Sequence, residues 1–278
     1  MGAAGITMKH LFCLGFGFTA EHLAKILLRD EWRISGTTRS AAGLAAMAAQ
    51  GVEGFIFDQL RDIPKSVTHM LASIPPDEKG DPAVQRFADA LARSFTWIGY
   101  LSTTGVYGDR QGGIVTEESK LNPTSDRARR RVLAENQWQP FEAHVFRLPG
   151  IYGKGRSQLD SLRNGAAKRI VKPGQIFSRI HVEDIAGILA ASMARPNPGR
   201  IYNVADDEPC PPQDVVTYAA EILNMPPPPE VAYEQADLSP MARSFYDDSK
   251  RVSNARIKSE LGYELKYPNY RVGLKALL

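Results

Sequence analysis

Residues 11–20 read LFCLGFGFTA, an apolar run that breaks at Gly15-x-Gly17-x-x-Ala20 and continues with helix periodicity. The apolar run is typical of a buried strand. Gly15 permits a tight turn, Gly17 lets an anion approach the backbone, and Ala20 lets the helix pack closely on the strand. The pattern predicts a helix N-terminus that presents N–H groups to a dinucleotide diphosphate. A glycine turn with a purely structural role is the alternative.

Strand-like and helix-like segments alternate over the first two thirds of the chain, which favours a parallel sheet wrapped by helices. The predicted strands cover residues 9–14, 33–37, 54–57, 69–73, 96–102 and 143–147. The predicted helices cover residues 19–30, 41–50, 82–95 and 125–137. We therefore predict an α/β fold with a Rossmann-like, doubly wound parallel sheet of six or seven strands.

The composition changes after Gly150. Residues 151–175 are rich in Gly, Lys and Arg, and a four-proline run at 226–229 indicates a stiff linker between a helix and an edge strand. We predict that residues 8–150 form an NAD(P)-binding core, and that residues 151–278 complete the sheet and form a small C-terminal substrate lobe. A ligand is then expected between the core and this lobe, outside the strand ends.

Composition and charge exclude several classes of protein. The chain has 278 residues, is 43% hydrophobic and carries a net charge of only +3, which argues against a nucleic-acid partner. No apolar run reaches membrane-spanning length, and no cluster of side chains has metal-ligand spacing. Cys13 and Cys210 lie far apart, so we expect a buried free thiol at Cys13 rather than a disulfide. Residues 1–7 are interpreted as a loose extension before Met8, and the protein is expected in the cytoplasm.

The residues after the second predicted strand bear on the choice of dinucleotide. NAD sites usually place an acidic residue there, whereas this chain has Arg39 beside Ser40. A guanidinium binds the 2′-phosphate that a carboxylate repels, so we favour NADP, with NAD as the alternative. Asp58, after the third strand, is either a partner for the adenine amino group or an exposed turn residue. The predicted cofactor site also includes, beside the two glycines, residues at strand and helix ends: Phe18, Thr19 and Ser73.

Four segments, in this order, resemble a known superfamily. They read GFGFTA at 15–20, YLSTTGVYG at 100–108, FRLPGIYG at 146–153 and IHVEDIA at 180–186. On these segments the chain resembles the extended, epimerase/dehydratase arm of the short-chain dehydrogenase/reductase superfamily, in an atypical form. The resemblance implies a Rossmann core, a bound NAD(P) and a C-terminal substrate lobe.

The catalytic pair of that superfamily is missing from this chain. The resemblance implies hydride transfer assisted by a Ser/Thr hydroxyl, here Thr103, and by a tyrosine whose phenol is activated by a lysine four residues later. The positions of that pair hold Arg127 and Arg131, and no tyrosine occurs between Tyr107 and Tyr152. A guanidinium stays protonated and cannot act as a general acid or base. Thr103, Arg127 and Arg131 are therefore the candidate catalytic residues, without the usual proton relay.

Other groups are candidates for the missing relay. Tyr107, Tyr152, His181 and Glu117 lie near the predicted cleft, and the histidine has the most suitable chemistry. A structural role is the alternative for His181 and for both tyrosines. A literal Tyr-x-x-x-Lys occurs at 246–250, far from the segment in which the superfamily places its catalytic helix. We interpret this match as a coincidence or as part of the cleft lining.

The arginines at 127, 129, 130 and 131 form the most basic stretch of the chain. They indicate either a solvated helix face or a grip on a phosphate or carboxylate, to which Arg179 or Lys154 could contribute. Residues four apart share a helix face, so Arg127 and Arg131 are expected to point together toward the cofactor.

Two functions remain open. The first is an NADP-linked oxidoreductase or epimerase-type enzyme that acts on an anionic small molecule, bearing a phosphate or carboxylate, through a rebuilt proton relay. The second is a catalytically inactive NADP(H)-binding sensor or regulatory protein. Retention of Thr103 and of a C-terminal lobe favours the enzyme, whereas loss of the phenol favours the sensor. The predicted helix at 82–95 is apolar enough to allow a homodimer beside the monomer.

Overall fold

Strands and helices alternate along the chain in the computed structural model, which describes residues 8–278. The extension predicted at residues 1–7 lies outside the described residues. The strands are β1 His10–Leu14, β2 Arg33–Thr38, β3 Glu53–Ile56, β4 His69–Ala72, β5 Trp97–Thr103, β6 Ile114–Val115, β7 His144–Leu148, β8 Gly150–Tyr152, β9 Arg169–Val171, β10 Arg179–His181, β11 Ile201–Asn203, β12 Glu230–Ala232 and β13 Arg251–Val252. The helices are α1 Phe18–Leu27, α2 Ala41–Ala48, α3 Pro82–Leu91, α4 Asp126–Trp138, α5 Gln158–Arg163, α6 Val182–Ala194, α7 Pro212–Ile222, α8 Pro240–Ser244, α9 Ala255–Leu261 and α10 Tyr270–Lys275.

Seven of the strands form one parallel sheet in the order β11-β7-β5-β4-β1-β2-β3. The chain runs from β1 outward through β2 to β3 and then returns to β4 on the other side of β1. This reversal leaves a crevice at the carboxyl ends of β1 and β4, where α/β proteins of this type bind ligands. The predicted α/β class with a doubly wound parallel sheet is confirmed.

Helices cover both faces of the sheet, each with its apolar stripe turned inward. On one face α1 and α6 contribute Leu23 and Ile185 to a buried cluster. On the other face α3 and α4 contribute Phe87 and Trp138 to a second cluster. The sheet is therefore packed between two layers of helices, and this packing positions the residues that follow the carboxyl ends of its strands.

The residues after Gly150 extend the sheet and also build outside it. β11 lies beside β7 in the central sheet, whereas β8 pairs with β10, β9 with β12, and β13 with β6, all in parallel. Helices α5, α7 and α10 enclose a separate apolar cluster that includes Leu159, Ala219 and Leu274. The four prolines at 226–229 connect α7 to β12, as the sequence predicts.

Two predicted helices end earlier than expected. The helix predicted at 19–30 stops at Leu27, because a 3₁₀ turn and Glu31, with φ 59°, redirect the chain into β2. The helix predicted at 82–95 stops at Leu91, and Phe95 reaches the apolar cluster from the loop that follows.

Cys13 and Cys210 are both buried free thiols. Among residues 8–278, no helix is both long enough and apolar enough to cross a membrane.

Candidate active site

The turn after β1 is fixed by its two neighbouring strands. Gly15 has φ +92°, and its N–H donates to Thr37 Oγ1 at 2.9 Å. The N–H of Phe16 donates to the backbone oxygen of Thr37 at 2.8 Å. From the other side, the Ser73 hydroxyl donates to the Gly15 backbone oxygen at 2.7 Å. Ser73, predicted as a cofactor residue, thus holds the turn in addition to lining the cleft.

The N-terminus of α1 is open. Gly17 occupies the N-cap position, and no side chain within residues 8–278 accepts a hydrogen bond from the first N–H groups, whereas Ser40 and Ser125 cap α2 and α4. A Cβ placed on Gly17 meets no atom within 4 Å. The N–H groups at this end have no intrahelical acceptor, and the helix dipole favours an anion there. These residues therefore fit a diphosphate, as the predicted cofactor site requires.

Three predicted cofactor residues lie at the ends of β2 and β3. Arg39 is exposed between β2 and α2, and within residues 8–278 it forms no ion pair. The Ser40 hydroxyl accepts from the Gly43 N–H at 3.1 Å and is thus used as the cap of α2. Asp58 is exposed in a 3₁₀ turn. All three follow the carboxyl edge of the sheet beside Gly15 but lie outside the main cleft.

A cleft of about 930 Å³ runs from the N-terminus of α1 across the carboxyl ends of β1, β4 and β5 to α7 and α10. Its volume is in the range that holds a small-molecule ligand and part of a cofactor. Thr103, at the end of β5, lies in it, and its Oγ1 accepts from the Gly105 N–H at 3.2 Å. The predicted cofactor and catalytic residues that line this cleft are Gly17, Phe18, Thr19, Ser73, Thr103, Arg127 and Arg131.

The arginines of α4 divide between two directions. Arg127 and Arg131 line the cleft, one helical turn apart. Arg129 pairs with Asp126 at 2.5 Å, and Arg130 pairs with Glu78 at 3.0 Å, both outside the cleft. Arg131 is held in place because its Nη1 donates to the Tyr100 hydroxyl at 3.0 Å and to the Leu101 backbone oxygen at 2.6 Å.

Four guanidinium groups line the cleft without a carboxylate partner among the described residues: that of Arg179, which donates to Cys210 Sγ, and three others. Among the described residues, no ion pair includes Arg127, Arg131 or Arg156. Burial and the charges of Arg131 and Arg156 lower the pKa of Arg127. The Arg127 guanidinium lies 5.7 Å from the Phe245 ring, and that of Arg156 lies 5.7 Å from the Phe18 ring. The cleft is thus electropositive beside the open end of α1, an arrangement that favours an anionic ligand.

Three of the other candidate proton donors serve the fold, whereas Tyr152 lines the cleft and its buried hydroxyl has no hydrogen-bond partner among the described residues. Tyr107 is fully buried, and its hydroxyl donates to Asn203 Oδ1 at 2.7 Å and accepts from Arg147. Glu117 accepts from the Asn203 N–H at 2.8 Å. His181 caps α6, and burial lowers its pKa to about 4. Burial raises the pKa of Tyr152 well above its usual range.

Sequence reasoning missed one part of the cleft and left a second part as an open alternative. Arg156 lies in the Gly- and Lys-rich loop after β8, and only its charge and the neighbouring glycines could have indicated it. Residues 244–250 form one wall, with Phe245, Asp248 and Lys250 among the lining residues. The literal Tyr-x-x-x-Lys match was the single signal for this wall. Arg179 also lines the cleft and donates to Cys210 Sγ at 2.8 Å, whereas Lys154 does not line it.

Comparison with known proteins identifies relatives along the whole chain. No family model matches it. A functionally unknown conserved protein from Silicibacter pomeroyi, of solved structure, is 54% identical and superposes with a TM-score of 0.94 over 97% of this chain and 98% of that one. Protein YeeZ from Escherichia coli is 29% identical over 94% of this chain and 97% of its own length. A candidate NAD-dependent epimerase/dehydratase from Methylobacillus flagellatus is 24% identical, with a TM-score of 0.75 over 98% of this chain and 97% of that one.

Solved structures with the same fold hold nicotinamide cofactors. The human epimerase family protein SDR39U1 was solved with NADPH; it is 16% identical, with a TM-score of 0.76 over 97% of this chain and 99% of its own. MoeE5 was solved with UDP-glucuronic acid and NAD; it is 17% identical, with a TM-score of 0.77 over 96% of each chain. These two share the fold alone. At 54% identity over nearly the full length of both proteins, the chain belongs to the family of the conserved Silicibacter pomeroyi protein.

Proposed function

We propose that the protein is an NAD(P)-dependent enzyme of the extended short-chain dehydrogenase/reductase type, with oxidoreductase or epimerase-type activity on an anionic small molecule and a non-standard proton relay. Structural neighbours described as epimerases or dehydratases and solved with NAD or NADPH support the cofactor class. The order of the four superfamily-like segments along this chain supports the enzyme type. A UDP-sugar acid bound to one neighbour supports an anionic small molecule as the ligand class.

One observation carries the proposal. Among the described residues, one cleft is lined by the uncapped end of α1 and by the guanidinium groups of Arg127, Arg131 and Arg156, which pair with no carboxylate. Such a concentration of positive charge opposes folding, because like charges repel at short range. A dinucleotide diphosphate and an acidic substrate account for both features.

The roles follow from these positions. Backbone N–H groups from Gly17 to Thr19 bind the diphosphate, and Arg39 binds the 2′-phosphate of NADP, which we favour over NAD. Thr103 orients the reacting oxygen with its hydroxyl. Arg127 holds the acidic group of the substrate, since a guanidinium binds phosphate and carboxylate through paired hydrogen bonds. When bound, the nicotinamide supplies or accepts a hydride.

The second candidate function is an NADP(H)-binding sensor or regulatory protein without turnover. The presence of Arg127 at the position of the superfamily's phenol favours it, because a permanent cation binds but exchanges no proton. A panel of nucleotide sugars and acidic carbonyl compounds, incubated with saturating NADPH or NADP, separates the two functions. Turnover of any member supports the enzyme, and a blank panel supports the sensor.

Gly17→Ser tests the cofactor site. A serine at an N-cap accepts a hydrogen bond from the first turn, so the free variant should be as stable as the wild-type protein or slightly more stable. The same hydroxyl occupies the N–H groups that a diphosphate needs. Saturating NADPH stabilises a binding protein by about 2.7 kcal/mol at 100 times the Kd, and this gain should disappear in the variant.

Thermal unfolding with and without NADPH and NADH gives the measurement. An unchanged melting temperature of the free variant serves as the control for folding. If wild-type protein gains no stability from either dinucleotide at millimolar concentration, the proposed function is wrong. If the variant gains as much as the wild type, the diphosphate binds elsewhere.

The proposal includes action in the cytoplasm, as a monomer or a homodimer.

A further inference from the structure

One amine lines the cleft. The Lys250 side chain is 9% exposed, and its Nζ lies 3.1 Å from Asp248 Oδ2. Unlike the guanidinium groups nearby, an ammonium group releases its proton readily when it is buried. Lys250 therefore has a chemistry that Arg127, Arg131 and Arg156 lack.

The segment that carries Lys250 meets the first turn of α4. The Phe245 ring lies 5.7 Å from the Arg127 guanidinium, and the Thr124 hydroxyl donates to Asp248 Oδ1 at 2.9 Å. Asp248 thus joins Lys250 to a residue just before α4 begins. Two independent contacts bring this segment to the wall of the cleft that holds Arg127.

Hydrogen bonds on several sides fix the position of Lys250. The Ser249 N–H donates to Asp109 Oδ1 at 2.8 Å, and the Ser249 hydroxyl accepts from the Ile176 N–H at 3.1 Å. The Gln175 amide donates to the Asp248 backbone oxygen at 2.7 Å. Groups that act in catalysis need such support, because small displacements remove their contacts with the reacting atoms.

Other proton-exchanging groups in the cleft are less suitable. Asp160 accepts from the N–H and hydroxyl of Ser157 as the cap of α5. Burial raises the pKa of Tyr270 to about 12 and also raises the pKa of Tyr246, which packs against aromatic rings. Tyr152 is unsuitable for the same reason, since burial raises its pKa even further.

Burial and the charges around Lys250 act in opposite directions on its pKa. Burial lowers the pKa of Lys250, Asp248 and Asp109 raise it, and Arg110 lowers it. The net direction is downward, toward neutral pH, whereas the phenols move away from it. A proton donor works best when its pKa lies near the pH at which the protein operates.

We propose that Lys250 exchanges the proton with the reacting oxygen of the ligand in this cleft, the role that Arg127 cannot fill; this rests on the proposed function. In the reducing direction, an N–H bond of the ammonium group breaks and its electron pair stays on nitrogen. An O–H bond forms from a lone pair of the substrate oxygen. Solvent then returns a proton to the neutral amine.

Competitive acetylation with acetic anhydride tests the position and the titration of Lys250 without a known substrate. Only the neutral amine reacts, so peptide mass spectrometry over a pH series gives the midpoint for each lysine. Lys250 should have a lower midpoint than the exposed Lys25 on α1. NADPH at about ten times its Kd should slow acetylation of Lys250 about tenfold and leave Lys25 unchanged. Asp248→Asn removes the pairing carboxylate and should lower the Lys250 midpoint further.

Turnover of NADPH with a panel of acidic carbonyl compounds tests the chemical role. Lys250→Arg keeps the charge but releases no proton, and Lys250→Met loses both. Both variants should bind NADPH with unchanged Kd and lose about 10²- to 10⁴-fold in kcat, whereas Lys25→Arg should behave as wild type. Retained turnover in Lys250→Arg overturns the proposal.

Two further results separate failures of different origin. The role of Lys250 is overturned if NADPH binds but does not change the acetylation of Lys250. It is also overturned if the wild-type protein binds NADPH but turns over no panel member. Neither result contradicts the dinucleotide site. Failure of the wild-type protein to bind NADPH or NADH overturns the proposed function and this inference together.

Discussion

The guanidinium of Arg127 limits the chemistry that is possible at its position in the cleft. A phenol can gain and lose a proton, whereas Arg127 stays charged and can only attract or orient. The neighbouring Arg131 is tied by hydrogen bonds to the Tyr100 hydroxyl and the Leu101 backbone oxygen. Arg127 has no such tie among the described residues, and its environment lowers its pKa. Of the two cleft arginines on α4, Arg127 is therefore the one available to a ligand.

Arg39→Asp tests the preference for NADP over NAD. The side chain of Arg39 is exposed after β2, and no described carboxylate pairs with it, so the substitution disturbs no contact of the fold. A carboxylate there repels a 2′-phosphate and accepts a hydrogen bond from a ribose hydroxyl. We expect the Kd for NADPH to rise about 10- to 100-fold, with that for NADH unchanged or lower. Fluorescence titration with both dinucleotides measures this. Equal effects on the two contradict a 2′-phosphate contact.

The residues of helix α4 divide between an apolar side and a side that lines the cleft, and the spacing of these residues in the sequence predicts this division. Ser125 caps the helix, and Ala134 and Trp138 bury its apolar side against the sheet. Arg127 and Arg131 point into the cleft, as their four-residue spacing predicts. The other arginines of the run form exposed ion pairs, which contribute little to stability.

Arg127→Met and Arg130→Met should differ because of these faces. Loss of Arg127 removes repulsion with Arg131 and Arg156, so the free protein should melt slightly higher at low salt, with the gain screened at high salt. The same variant should bind anionic ligands more weakly, by about tenfold or more. Arg130→Met, which breaks only the exposed pair with Glu78, is the matched control and should change neither property.

Thermal unfolding at two salt concentrations and calorimetric titration with UDP-glucuronic acid and inorganic pyrophosphate provide the measurements. A lower melting temperature for Arg127→Met at low salt contradicts the repulsion. Equal binding of both anions by the two variants contradicts the role of Arg127 as an anion contact.

Local sequence patterns predict most of the strands and helices, but they predict only part of the cleft lining. The glycine turn, the sheet strands and α4 follow from hydrophobic periodicity and capping residues within each segment. Arg156 and Lys250 reach the cleft through tertiary packing of loops after β8 and α8, which periodicity does not encode. Ser73 was assigned from its strand end, yet its bond to the Gly15 backbone oxygen depends on the pairing of β4 with β1.

The cleft needs the whole described chain. One end of it is formed by Gly17 and the first turn of α1, whereas Phe245 and Lys250 come from the C-terminal part. The hydrogen bond of 2.9 Å from the Thr124 hydroxyl to Asp248 Oδ1 connects the C-terminal part to the loop before α4. The positions of the ligand-facing groups relative to each other therefore depend on the stability of the entire fold, and conditions that alter this stability alter the site.

Asp206 couples that stability to pH. It lies after β11, is 2% exposed, and within residues 8–278 nothing pairs with its Oδ2. Burial raises its pKa to about 8, and the attraction of Arg179 only partly opposes this. Between the unfolded value near 4 and the folded value, the folded state binds more protons than the unfolded state, so stability falls as pH rises. Each pH unit in that window costs about 1.4 kcal/mol.

Asp206→Asn should abolish this cost, because an amide keeps the shape and the acceptor for the Glu208 N–H without a charge. We expect the variant and the wild type to unfold at nearly the same temperature at pH 4. The melting temperature of the variant should exceed that of the wild type by an amount that grows up to about pH 8 and then levels off. Above the folded pKa, Asp206 is ionised in both the folded and the unfolded protein. Thermal unfolding from pH 4 to 9 measures the difference curve. Parallel curves for the two proteins show that Asp206 ionises in the folded state as it does in the unfolded one.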